Sequence, residues 1–232
     1  MKTSNKILMA AFGSIVAFIL IAGTSMRIQM NDTDRLQLVK NRLSIAPFKY
    51  IKVNSPNFTL SMSTGKEHAF LLDSDQKIED SKHVLNYYIS NDTLYFKDQT
   101  AEQEKIPLYH FTLTTPDSVH VIDAKNTRVN LSNLKSDYLQ VTMEKGELSA
   151  YHNTKIGTCT LDLRDVVNHS SFSSNTQIEE ATVNLNNSEF HFYNKKKLKS
   201  LKGTIYNESK LTLNDPEILS IDKDQKSSVK VH

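Results

Sequence analysis

The carboxyl-terminal half of this chain repeats about every twenty residues, and this period constrains the fold more than any other feature. One series of short alternating segments lies at 129–131, 148–150, 171–173, 190–192, 211–213 and 229–231. A second series lies at 139–141, 159–161, 181–183 and 201–203. A third, thinner series is Leu134, Ile156, Ile178, Leu198 and Ile218. Three apolar positions per period predict three short strands per turn of a coil.

Alternation within these segments predicts which side chains are buried. Successive side chains of a strand point to opposite faces, so the apolar residues should face inward and the residues between them outward. The predicted core includes Val141, Leu161, Val183, Phe190, Phe192, Leu211 and Leu213. The predicted outward residues include Gln140, Thr182, His191 and Thr212. One coil cannot bury its own inner face, so neighbouring coils should stack in parallel, with His191 beside Thr212.

Turn residues recur at the same step as the strands. One predicted corner carries Asn133, Asn153, Asn175, Asn194 and Asn214, and a second carries Asn126, Gly146, Asn168, Asn187 and Asn207. Asparagine tolerates left-handed backbone and its side chain bonds locally at turns. An antiparallel sandwich with evenly spaced turns is the alternative. Because strands and corners repeat together, we favour an all-β fold in which a three-sided β-solenoid, a parallel β-helix, occupies residues 47–232.

The part of the chain before the repeats also has a β pattern, but a less regular one. Predicted strands lie at 50–53, 58–62, 69–72, 85–89, 94–96 and 110–113, and Asn91-Asp92 marks a hairpin turn. The end coils of a solenoid are atypical because they cap an exposed stack. We therefore interpret residues 48–117 as the first coils and the irregular cap of the same domain.

The amino terminus carries an uncharged stretch at residues 7–26, between Lys6 and Arg27. About twenty apolar residues span a bilayer as a helix, and Lys2 and Lys6 should keep their end in the cytoplasm. A cleaved signal peptide is the alternative, because small residues at 22–25 suit a cleavage site. The length of the stretch favours an anchor. The predicted organisation is an anchor or signal peptide at 1–27, a juxtamembrane linker at 28–46, and an exported solenoid.

Composition and motifs argue against several classes of function. A net charge of +2 gives no reason to expect a nucleic-acid partner. The single cysteine, Cys159, excludes an intramolecular disulfide and falls in the inward series. Asp162 and Asp165 flank Arg164, with Glu144 one coil earlier, but a solvated ion pair is favoured there over an acid–base or calcium site. The eight histidines show no ligand spacing, so we predict no catalytic residue, no metal and no cofactor.

One basic cluster is the candidate contact region. It consists of Lys195, Lys196, Lys197, Lys199 and Lys202. Such a cluster could contact lipid phosphates or acidic glycans, although a solvated corner of the coil is the favoured alternative.

The order of segments also resembles a known family. Residues 47–53, 58–60 and 90–96, followed by β-coils, resemble the GIN domain, an auto-transporter adhesin head domain common in envelope proteins of Bacteroidetes. The resemblance covers about residues 44–232 and lies in layout and hydrophobic pattern. It implies a right-handed parallel β-helix at the bacterial cell envelope and brings no catalytic residues.

These observations together predict a non-enzymatic, adhesin-like module that binds protein or glycan through the side face of the solenoid. An envelope polysaccharide lyase or glycosidase on a β-helix is one alternative, and a structural spacer is another. The expected location is the inner membrane with a periplasm-facing domain, or an exported protein if the leader is cleaved. The sequence leaves the oligomeric state open.

Overall fold

The computed structural model describes residues 38–56, 58–79, 84–97, 108–116, 119, 121–166, 170–194 and 196–232, together with scattered residues between 12 and 24. The chain divides into two compact units, residues 1–38 and 39–232. In the first unit the described residues between Phe12 and Thr24 are helical, and Leu38 is not. Among the residues that the structure describes, no helix has the length and apolar character needed to cross a bilayer. Most of the stretch 7–26 lies outside the described residues, so the anchor stays a prediction.

The second unit is built from β-strands. Its strands are β1 (Val39–Ser44), β2 (Tyr50–Asn54), β3 (Thr59–Thr64), β4 (Ala69–Ser74), β5 (Tyr87–Ser90), β6 (Thr93–Phe96), β7 (Leu108–Thr115), β8 (Val121–Ser132), β9 (Lys135–Tyr151), β10 (Lys155–Arg164), β11 (Ser171–Phe172), β12 (Gln177–Asn186), β13 (Glu189–Phe192), β14 (Ser200–Tyr206), β15 (Lys210–Leu213), β16 (Ile218–Lys223) and β17 (Ser228–Val231).

Two walls of parallel strands run the length of this unit. The first wall stacks β2, the start of β8, β9, β10, β12, β14 and β16. The second wall stacks β3, the ends of β8 and β9, β11, β13, β15 and β17. His191 lies beside Ser171 and Thr212 in parallel register, as predicted. The β-solenoid is therefore confirmed.

The core fills the space between these walls. The seven side chains predicted to be buried are each at most 1% exposed. The outward residues Gln140, Thr182, His191 and Thr212 are half-buried rather than fully exposed. Adjacent coils lie only about 4.8 Å apart, so outward side chains of neighbouring coils cover each other's flanks.

A short third side joins the second wall back to the first. Ile156 lies beside Ser136 and Ile178 there, and Leu198 follows in the next coil. The predicted third series was wrong at its two ends. Leu134 is buried two residues before Ser136, which is the residue that lies beside Ile156. Ile218 is 56% exposed and lies on the first wall beside Ser200.

Pro216 takes the buried place that the sequence analysis gave to Ile218. The N–H of Glu217 donates to the carbonyl of Leu198 at 2.9 Å, which aligns Pro216 with Leu198. The third series assumed a step of about twenty residues from Leu198, but the third side of this coil is two residues shorter. The buried position therefore falls at Pro216 and not at Ile218.

The second predicted corner is a column of residues with left-handed backbone. Asn126, Lys145, Asp165, Asn187 and Asn207 have φ between 49° and 57°. The prediction was right for the three asparagines, but Lys145 rather than Gly146 has this φ in its coil. Predicted Asn168 lies outside the described residues, and Asp165 occupies the column instead.

Buried serines line the inside of the same corner. The N–H of Val166 donates to Ser188 Oγ at 3.1 Å, the N–H of Ser188 to Ser209 Oγ at 3.1 Å, and the N–H of Ser209 to Ser227 Oγ at 3.1 Å. These serines are at most 3% exposed. These hydrogen bonds give the backbone N–H groups acceptors at the corner, where the two walls diverge. Backbone N–H groups that are buried need such partners.

The cap at the amino-terminal end departs from chain order. Strand β6 stacks on β2 and β7 on β3, on the side opposite to β8, so the later coil lies outside the earlier one. Strand β4 then adds antiparallel to β7, β1 adds antiparallel to β4, and β5 forms the predicted hairpin with β6. Strand β1 lies within the stretch 28–46 that the sequence analysis treated as a linker.

Candidate binding cleft

A cleft of about 340 Å³ opens on the short third side of the solenoid. The first residues of β9, β10 and β12 line it, together with residues 196–199 before β14. Four successive coils therefore contribute to one depression. Strand alternation decides which side chains face the cleft. Ser136, Ile156 and Ile178 point into the core, so the residues before and after each of them point outward.

Lysines form the first column of this cleft. Lys155 lies beside Lys135 on one side and Gln177 on the other. Lys197 occupies this column in the next coil, because the register that places Ser200 beside Glu180 also aligns Lys197 with Gln177. Successive members stand about 4.8 Å apart along the axis of the solenoid, so the column is a regular ladder of mostly cationic groups.

A glycine forms the floor of the cleft in the second column. Gly157 lies between Asp137 and Glu179 of the neighbouring coils. A Cβ at position 157 would lie 2.6 Å from the carbonyl oxygen of Asp137. The close approach of the two backbones therefore requires glycine, and the missing side chain leaves the gap between the two carboxylates open.

The charges in the cleft are only partly compensated. Lys199 Nζ lies 2.7 Å from Glu179 Oε2, and Lys197 Nζ lies 2.9 Å from Asp215 Oδ2. The hydrogen bond and charge of Lys199 lower the pKa of Glu179, and the same pair raises the pKa of Lys199.

Three further lysines, Lys135, Lys155 and Lys196, line the cleft and make no direct ion pair within the described part of the chain, although the charge of Lys196 also helps to lower the pKa of Glu179. The cleft thus offers free cations together with two carboxylates, Asp137 and Glu179, that can accept hydrogen bonds.

The predicted basic cluster is divided by the structure. Lys196, Lys197 and Lys199 lie together at the cleft, whereas Lys195 lies outside the described residues. Lys202 lies on the first wall, beside Thr182 and Ser220. The chain turns the corner between the third side and this wall just before Ser200, so Lys202 points away from the cleft.

Sequence reasoning missed Lys135 and Lys155, which complete the cleft. Both stand at the start of a predicted coil and recur at its period, as Lys197 does. The predicted third series would not have aligned them, because it placed Leu134 beside Ile156, whereas Ser136 occupies that place in the structure.

The acidic residues considered as an alternative site are each held by a partner. Asp162 lies 3.5 Å from Arg164, Glu144 lies 3.0 Å from Lys125, and Asp165 accepts a 2.7 Å hydrogen bond from Asn187. In the part of the chain that the structure describes, no three His, Cys, Asp or Glu side chains converge to hold a metal ion.

Cys159 occupies the core, as predicted. It is fully buried between Leu139 and Ala181, and burial raises the pKa of its thiol to about 12. Only the thiolate is a good nucleophile, so this residue acts as a small apolar side chain.

Comparisons with known proteins support the fold and leave the family open. No family model and no curated protein matches this chain. Its fold is similar to the crystal structure of a "putative adhesin" from Bacteroides fragilis NCTC 9343, at 11% identity and a TM-score of 0.52 over 84% of this chain and 97% of that one. A "putative lipid binding protein" from Parabacteroides distasonis ATCC 8503 matches at 13% identity and a TM-score of 0.34, over 84% and 96%. Membership of the GIN domain family stays a prediction, and what the comparisons show is a fold shared with the Bacteroides protein.

Proposed function

We propose that this protein is a non-enzymatic, adhesin-like module of the bacterial cell envelope that binds an acidic glycan in the lysine-lined cleft. The observation that carries the proposal is the convergence of Lys135, Lys155 and Lys196 on one cleft without an ion pair among the described residues. The fold shared with a "putative adhesin" supports a binding role at the envelope.

The arrangement suits a linear polymer better than a compact anion. A ladder with a step of about 4.8 Å along the axis can contact successive acidic groups of an extended chain. Lysine is a point charge on a flexible stem, so it tolerates some variation in the position of each group.

The two carboxylates of the cleft favour a glycan over a lipid phosphate. Asp137 and Glu179 lie beside the Gly157 floor, and an ionised carboxylate accepts hydrogen bonds from hydroxyl groups. A ligand that carries both hydroxyls and acidic groups satisfies both sets of side chains, whereas a fully ionised phosphate has no hydrogen-bond donor for the carboxylates.

The stretch 7–26 would tether this module to the inner membrane with the solenoid facing the periplasm. Cleavage after the small residues at 22–25 would instead release it. Sequencing of the amino terminus of the mature protein distinguishes the two, because a terminus between residues 22 and 30 requires cleavage.

The binding test uses the full-length protein in detergent micelles, titrated with alginate, a polyuronate, and with neutral dextran as the matched control polymer. We expect saturable binding of alginate that weakens with added salt, and no binding of dextran. Each lysine contributes about 1 kcal/mol at a separation of about 4 Å in a water-like dielectric. The double variant Lys135→Gln/Lys155→Gln should therefore bind roughly tenfold more weakly or worse.

The control variant is Lys202→Gln, which removes an exposed lysine from the first wall and should leave the affinity unchanged. Equal binding of dextran and alginate would refute the electrostatic basis of the proposal. Unchanged affinity in the double variant would refute the cleft as the site. Turnover of alginate would move the protein to the enzyme class.

A further inference from the structure

An exposed tyrosine stands at the end of the second wall, next to the cleft. Tyr193 follows β13 directly and is 48% exposed. The parallel register of β13 with β11 and β15, extended by one residue, places Ser173 on one side of it and Asn214 on the other. Both neighbours have shorter side chains, so the tyrosine ring stands above the surface of the adjacent coils.

The ring of His191 holds this tyrosine in one orientation. The two rings are parallel within 3°, and their centroids lie 5.4 Å apart. His191 Nε2 lies 3.0 Å from Glu189 Oε1, and Glu189 Oε2 lies 4.0 Å from Lys210 Nζ. Residues 189, 191 and 193 are successive outward positions of one strand. Tyr193 is therefore positioned before any ligand binds, which reduces the entropy that binding costs.

The open face of Tyr193 points towards the cleft. His191 lies two residues earlier in the chain, so it covers the face that looks back along β13. The opposite face looks forward along the chain, to the corner at Asn194 and to Lys196 and Lys197 beyond it. Both lysines line the cleft. The Cα atoms of Tyr193 and Lys197 are four residues and at most about 14 Å apart, so the ring and the lysines belong to one continuous surface.

We propose that Tyr193 is a stacking platform for a sugar ring of the acidic glycan whose charged groups occupy the cleft. This inference rests on the proposed function and deepens it, because it adds a contact with the uncharged part of the ligand. The face of an aromatic ring carries negative charge density, which attracts the weakly positive C–H groups on one face of a pyranose ring. Lysines alone would hold any polyanion, whereas the tyrosine selects a polymer of such rings.

The test measures the affinity of alginate oligomers for the full-length protein in detergent micelles. Tyr193→Leu keeps an apolar side chain but removes the ring, so it should weaken binding roughly three- to tenfold. Tyr193→Phe keeps the ring and should bind like the wild type. The matched control is Tyr50→Leu, which removes a 43% exposed tyrosine from the first wall and should leave the affinity unchanged. Circular dichroism checks that each variant is folded.

Added salt separates the contribution of the ring from that of the lysines. Salt screens the charges of exposed lysines but not a stacking contact. Tyr193→Leu should therefore lower the affinity by the same factor at every salt concentration. The double variant Lys135→Gln/Lys155→Gln should instead make the affinity less dependent on salt, because fewer ionic contacts form.

The possible outcomes distinguish this proposal from the proposed function. Wild-type affinity in Tyr193→Leu would overturn the stacking platform and leave the cleft in place, as would an equal loss in Tyr193→Phe and Tyr193→Leu. A loss in Tyr193→Leu without a loss in the lysine double variant would support the sugar contact at Tyr193 and refute the cleft. Alginate oligomers that do not bind the wild type at all would overturn both.

Discussion

Replacing Leu161 by alanine should destabilise the solenoid strongly, whereas replacing its neighbour Thr160 should not. Leu161 is fully buried in β10, between Val141 and Val183 of the adjacent coils. Its removal costs the lost transfer free energy and leaves a cavity, together about 2–5 kcal/mol. The backbone of both neighbouring coils is held by ladder hydrogen bonds, so the site has little freedom to collapse.

The expected change is measurable by thermal unfolding of the full-length protein followed by circular dichroism. For domains of this size each kcal/mol shifts Tm by about 2–4 °C, so Leu161→Ala should lower Tm by roughly 4–20 °C. Thr160→Ala removes an outward, half-buried side chain, and its cost should stay below about 1 kcal/mol. A slip of one residue in register would exchange the two effects. A larger loss for Thr160→Ala than for Leu161→Ala would therefore refute the assignment of inner and outer faces.

Three further predictions concern single side chains. Cys159 should resist alkylation in the folded protein and react once it is unfolded by denaturant, because burial raises its pKa to about 12; labelling of the native state at neutral pH would contradict this. Lys199 lowers the pKa of Glu179 in the folded state, so this pair stabilises the fold above the ordinary pKa of glutamate, and the stabilisation is lost as pH falls through the lowered value. The difference in Tm between the wild type and Glu179→Gln should therefore shrink over that pH range. A difference that stays constant would argue against the pair. Ser188→Ala should cost about 1–3 kcal/mol, because it leaves the N–H of Val166 without its acceptor inside the corner; denaturant titration measures the loss, and Ser188→Thr, which keeps a hydroxyl, should lose less.

Much of the solenoid could be predicted because its determinants are local and periodic. Side-chain alternation at residues 190–192 indicates which face is inner, and the twenty-residue step indicates which coil stacks on which. Parallel pairing of His191 with Thr212 follows from these two facts alone. The third series failed at Ile218 because the coil before it is shorter, and a single apolar residue per coil carries too little pattern to reveal a change of step.

The cap could be predicted as strands but not as an arrangement. The hairpin turn at Asn91-Asp92 is visible in the sequence, and both residues have positive φ, 48° and 57°. The stacking of β6 and β7 outside β2 and β3 has no periodic signature. It depends on antiparallel returns through β4 and on aromatic packing among Phe58, Phe70, Phe96 and Phe111, and such contacts between distant segments are not encoded in local spacing.

The amino-acid sequence by itself determined the period, the inner and outer faces and the stacking of the coils, because these follow from the two-residue repeat of a strand. Only the tertiary structure decided which lysines act together. Lys196 and Lys202 are close in sequence but lie on different sides of a corner, whereas Lys135, Lys155 and Lys196 are distant in sequence but line one cleft. Whether a charge is free depends on the position of its partner in the neighbouring coil, as for Lys199 and Glu179. That position is a property of packing in three dimensions, and the spacing of residues along the chain does not contain it.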